Sequence, residues 1–96
     1  MEYKFREDEL LGELYEYVNS TYTTHYSDGE YQATDVIIDA GHGEGFCVGN
    51  IIKYAKRYGK KAGKSKRDMF KVIHYALISI YIEEEKKGGR TNEKES

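Results

Sequence analysis

Ninety-six residues suffice for one domain with a single modest core and are too few for a core plus an elaborate cofactor fold. With 39% hydrophobic and 33% charged residues the chain reads as globular; no apolar run approaches the roughly 20 residues of a spanning helix, and the lone Cys47 excludes an intramolecular disulfide and a thiolate metal cluster. The net charge of −2 hides a segregation, because residues 1–48 hold eleven acids against Lys4 and Arg6, whereas residues 49–74 hold nine cations against Asp68 alone.

In chain order, "REDELLGELYEYVN" places Leu10, Leu11, Leu14, Tyr15 and Val18 at helical spacing, with Glu7, Asp8 and Glu9 suited to a helix's first turn. "STYTTHYSDGEY" is rich in Thr and Tyr and carries the turn signal Asp28-Gly29, which predicts an extended loop or short strand. "ATDVIIDAG" reads as a short helix capped by Thr34 and closed by Gly41. After the glycine-rich "GHGEG", "FCVGNIIKYAKRYG" forms an apolar stripe of Val48, Ile51, Ile52, Ala55 and Tyr58; Cys47 reads as a small buried hydrophobe beside it. Asn50, Lys53 and Arg57 share a separate face of that helix, since side chains three and four residues apart stack on one side.

The last helix, "SKRDMFKVIHYALISIYIEEEKK", opens on Ser65 as N-cap, with Asp68 in the capping-box position. Met69, Ile73, Ala76, Leu77 and Ile80 predict a buried face, widened by Val72, Tyr75 and Ile82. So wide a stripe predicts a central helix or one shared at an oligomer interface. The expected fold is therefore mainly α: a small helical domain of three to four helices with a Tyr/Thr-rich loop or short strand, packed into a homo-oligomer. It spans residues 1–87, with a disordered polar tail over 88–96.

"GKKAGKS", residues 59–65, superficially resembles a phosphate-cradling loop. That loop needs four residues between its glycines and a buried strand before it, but Gly59 and Gly63 enclose three, and the preceding segment is helical in period and carries Lys53, Lys56 and Arg57. The segment is better read as a helix-to-helix connection, with Gly59 closing one helix and Ser65 opening the next. The surrounding basic block attracts phosphates. Alternatively, the acidic and basic segments face each other across a subunit contact or lie on separate solvated faces.

"THYSDGEYQATDVIIDAG", "FCVGNIIKYAKRYGKK" and "RDMFKVIHYALISIYI" together resemble a family of small phage proteins described as SaV-like or nucleotide-kinase-like and long filed as a domain of unknown function. The matching positions are His25, Tyr26, Asp35, Val36, Ile37, Gly49, Asn50, Lys53, Tyr54, Arg57, Gly59, Lys60, Lys61, Asp68, Lys71 and Tyr75, across residues 24–82. Two positions depart from the pattern: Thr24 stands where a proline often precedes the His-Tyr pair, and His74 where an aromatic is common. One larger member is associated with nucleoside monophosphate phosphorylation, so the resemblance implies a nucleotide pocket as the shared theme. It also implies a location in the cytoplasm of the infected host cell, which agrees with an acidic N-terminus unlike a secretory leader.

Asn50, Lys53 and Arg57 offer an amide, a point charge and a planar fork for bidentate phosphate contact, and Tyr26, Tyr54 and Tyr75 offer stacking surfaces. With His25, Lys60, Lys61 and Lys71 they make up the expected ligand site. Its guest would be a nucleotide or cyclic nucleotide, held without a cofactor, and its use the sequestration of a nucleotide immune signal. A nucleoside monophosphate kinase is the alternative, with Mg²⁺ near Asp35 and Asp39, although these two read better as a solvated face. A nucleic-acid or protein partner module is a third reading, nucleic acid being the weaker partner. No catalytic residue is assigned, and no metal ligand or membrane contact is expected.

Overall fold

The computed structural model describes the backbone of residues 1–28, 30–60 and 64–94 and the side chains of residues 1–23, 33–60 and 64–87. The elements are α1 (Glu7–Asp28), α2 (Glu30–Asp39), α3 (Gly43–Arg57) and α4 (Lys66–Lys94), with no strand among the described residues. The expectation of a mainly helical chain holds. Two compact units divide it, Met1–Thr34 and Asp35–Ser96.

In the first unit, α1 runs through the segment where a Tyr/Thr-rich loop or strand was expected. The hydroxyls explain why: Ser20 Oγ donates to the Tyr17 carbonyl at 2.7 Å, Thr21 Oγ1 to Val18 at 2.7 Å and Thr23 Oγ1 to Ser20 at 3.1 Å. Bonded back onto the preceding turn, these groups stop competing with the helical backbone. Of the predicted stripe, Leu14 is buried and Leu10 and Val18 are half-buried, but Leu11 and Tyr15 are exposed.

The second unit is built on α3 and α4, which pack against each other. The turn before α3 has the hydrogen bonds of a glycine-terminated helix: Gly41 N–H donates to the Ile38 carbonyl at 3.0 Å and His42 N–H to Ile37 at 3.1 Å, with Gly41 at φ 92°. That pairing satisfies two of the terminal carbonyls of α2 and requires a left-handed residue, so Gly41 closes the helix as predicted. Thr34 is not its cap, however, because α2 begins four residues earlier, at Glu30. His42 N-caps α3 through its backbone, with no side-chain cap hydrogen bond.

At the far end of α3, Tyr58 (φ −56°, ψ 125°) and Gly59 (φ 81°) form the centre of a turn closed by Lys60 N–H on the Arg57 carbonyl at 2.9 Å. These are the angles of a type II turn, which needs a residue tolerant of positive φ at its third position. The connection reading of "GKKAGKS" therefore holds at its described ends. Ser65 caps α4, its Oγ accepting from Asp68 N–H at 3.3 Å. The α4 backbone continues to Lys94, past Gly88, where the composition predicted a polar tail.

Cys47, 0% exposed, is the fully buried side chain among the described residues of the α3–α4 hairpin, and burial pushes its thiol pKa up. A hidden thiol held protonated should react with iodoacetamide negligibly in the folded protein and completely in denaturant. Rapid labelling of the native chain would show that the hairpin opens. The predicted inner face of α4 is corrected: Ile73, Leu77 and Ile80 are 40%, 45% and 57% exposed, whereas Asp68 is buried.

Candidate functional site

The site grows from one ring. On α3, Tyr54 lies one turn before the helix end, and its ring stacks on Tyr75 of α4 with centroids 6.2 Å apart and planes 8° from parallel. Phe46 meets Tyr75 edge-on at 5.8 Å, and His74 lies 6.4 Å from it, so Tyr75 sits in a small aromatic group that fixes the register of the two helices.

Among the described residues, three cations gather around Tyr54. Lys71 Nζ lies 4.8 Å from the ring centroid, Lys53 Nζ 5.0 Å and the Arg57 guanidinium carbon 5.6 Å. Each is within cation–π range, which offsets part of their mutual repulsion. Lys53 and Arg57 come from one helix at spacing four, and Lys71 is brought in by α4. The carboxylate that answers them is Asp68, 7% exposed, whose Oδ2 stands 3.8 Å from Arg57 Nε. Counting these four groups, three positive and one negative, leaves a local excess of two positive charges.

The predicted site residues divide clearly. Lys53, Tyr54, Arg57, Lys71 and Tyr75 come together. Asn50 lies on the same helix, but its Nδ2 donates to the Phe46 carbonyl at 2.9 Å, so the amide is partly engaged on its own backbone instead of being wholly available to a ligand. Lys60 is exposed in the turn after α3. The side chains of His25 and Tyr26, and all of Lys61, lie outside the described residues.

Asp68 was expected as a capping acid, and its role as the buried counter-charge of Arg57 was missed. The available signal was its standing as the lone acid within a nine-cation block. Asp35 and Asp39 are exposed on α2. No group of three or more His, Cys, Asp or Glu that could hold a metal forms among the described residues, and none of their helices is long and apolar enough to cross a membrane.

A family described as a protein of unknown function, DUF3310, matches residues 20–77, more than half of the chain. The chain belongs to the DUF3310 family. The match takes in α3 and most of the described α4 side chains, hence the whole Tyr54 cluster. No curated protein and no solved structure matches the chain.

Proposed function

We propose that this DUF3310 chain binds a nucleotide or cyclic nucleotide at the Tyr54 cluster, with the phosphate received by Lys53, Lys71 and Arg57. The observation that carries the reading is the convergence, among the described residues, of three cations on one tyrosine against a single carboxylate. Cations gathered without matching acids store repulsion that an anion relieves, and the guanidinium supplies a fork that a phosphate can fill. A binder of this kind needs neither a held metal nor enclosure of two substrates. It suits the sequestration of a nucleotide immune signal by a phage protein; the resemblance to SaV-like proteins suggests the nucleotide pocket alone.

Native mass spectrometry of the protein purified from phage-infected cells should show a retained phosphorylated small molecule. Affinity for that molecule should fall with salt in proportion to about three phosphate–cation contacts; a much steeper slope would favour a nucleic-acid backbone tracked by the wider basic block. Formation of ADP from ATP and a nucleoside monophosphate would favour the kinase reading. Recovery of ligand-free protein, together with no binding of any tested nucleotide, would refute the proposal.

A further inference from the structure

The outer side of α4 carries a pattern that the nucleotide site does not use. Lys66, Phe70, Ile73, Leu77, Ile80 and Glu84 are spaced four, three, four, three and four residues apart, the seam spacing of helices that pair along their length. Asp68, Tyr75 and Ile82 occupy the side that meets the rest of the unit: Tyr75 stacks on α3, and Ile82 reaches Gly43. Helical geometry puts the Ile73–Leu77 seam on the far side from these. Three consecutive seam positions, Ile73, Leu77 and Ile80, are exposed large hydrophobics, and Phe70 beside them is half-buried.

The two ends of the seam are opposite in charge. Lys64, Lys66 and Arg67 lie at one end and Glu83, Glu84 and Glu85 at the other, followed by Lys86, which is turned toward Glu44 of α3 at 3.7 Å, and Lys87. About a midpoint at residue 75 the seam is self-complementary: Lys66 is as far from it as Glu84, Phe70 as Ile80, and Ile73 as Leu77. We infer that α4 pairs antiparallel with α4 of a second copy of this chain across the Phe70–Ile73–Leu77–Ile80 seam, related by a two-fold axis at the level of residue 75.

An isologous contact requires that residue i meet j while j meets i, and each pair above meets that condition. From Lys66 to Glu84 the contact is about 27 Å long at 1.5 Å per residue. Its apolar centre supplies the affinity, and the charged ends set direction and register. Parallel pairing would set Lys66 against Lys66 and Glu84 against Glu84 and is disfavoured by that repulsion. The inference is independent of the ligand proposed above.

Sedimentation of the full chain at about 100 µM, well above a micromolar Kd, should give a dimer. Leu77→Asp, counted twice across the axis, should weaken it at least about 100-fold. Glu84→Lys alone and Lys66→Glu alone should each weaken it while leaving helicity by circular dichroism unchanged, and the double exchange Lys66→Glu/Glu84→Lys should restore it. A monomeric wild type would overturn the inference. So would a dimer indifferent to Leu77→Asp, or one that the double exchange fails to rescue, since its partner or register would then be different.

Discussion

Lys71→Glu is expected to weaken nucleotide binding about 100-fold, about 2.7 kcal/mol, while leaving thermal stability nearly unchanged. Its ammonium is the closest of the three cations to the Tyr54 centroid, at 4.8 Å, and it stands on the helix opposite Lys53 and Arg57. The substitution changes the local charge by two units, and at partly exposed contact distance each unit acting on a phosphate is worth about 1 kcal/mol or more. Lys56→Glu is the control: it makes the same change in net charge on the exposed surface of α3 and should alter affinity by no more than about threefold, because distant exposed charges are screened. Calorimetric titration of both variants decides the matter. Equal losses would mean that a diffuse basic field binds the ligand, and the Tyr54 cluster would lose its special role. Arg57→Ala is a poorer probe, since removing the guanidinium also strips the buried Asp68 carboxylate of its partner and so costs stability as well as affinity.

Gly43→Val should destabilise the second unit by about 3 kcal/mol, read from urea or thermal unfolding. Gly43 is buried at the start of α3, where a Cβ would lie 2.8 Å from Ile82 Cδ1, 3.0 Å from Ile38 Cγ1 and 3.3 Å from Ile38 Cα. The end of Ile82 can swing aside; the Ile38 backbone cannot. At this point α2, α3 and α4 all meet, so a branched side chain must push helices apart, not merely turn a rotamer. Gly45, two residues on in the same helix, has nothing within 4 Å of its would-be Cβ. Gly45→Ala should therefore stabilise by up to about 1 kcal/mol, the usual gain from replacing glycine inside a helix. If both glycines tolerated substitution equally, the close packing of Gly43 would not be a constraint in solution.

Local chemistry explains which parts of the fold were legible beforehand. Gly41 and Gly59 closing helices, Ser65 opening α4 and Cys47 as a buried thiol all follow from properties of single residues or of their immediate neighbours. The Thr/Tyr segment was misread because β-branched residues favour strands on average, whereas these hydroxyls are satisfied by carbonyls one turn back. The glycine-rich "GHGEG" run gave no packing signal, yet Gly43 is a contact point between helices.

For the site, the sequence by itself determined that Lys53, Tyr54 and Arg57 share a stretch of one helix and that the middle of the chain is strongly basic, because helical spacing and charge are written in the residues. Only the tertiary structure decided that Lys71 joins them from α4, that Tyr54 lies on Tyr75, that Asn50 turns back onto its own helix and that Asp68 is buried beside Arg57. It also decided which of α4's apolar faces meets α3 and which stays outside. A helix with hydrophobic residues on most of its sides gives no local signal for that choice, which is made by the partner that packs against it.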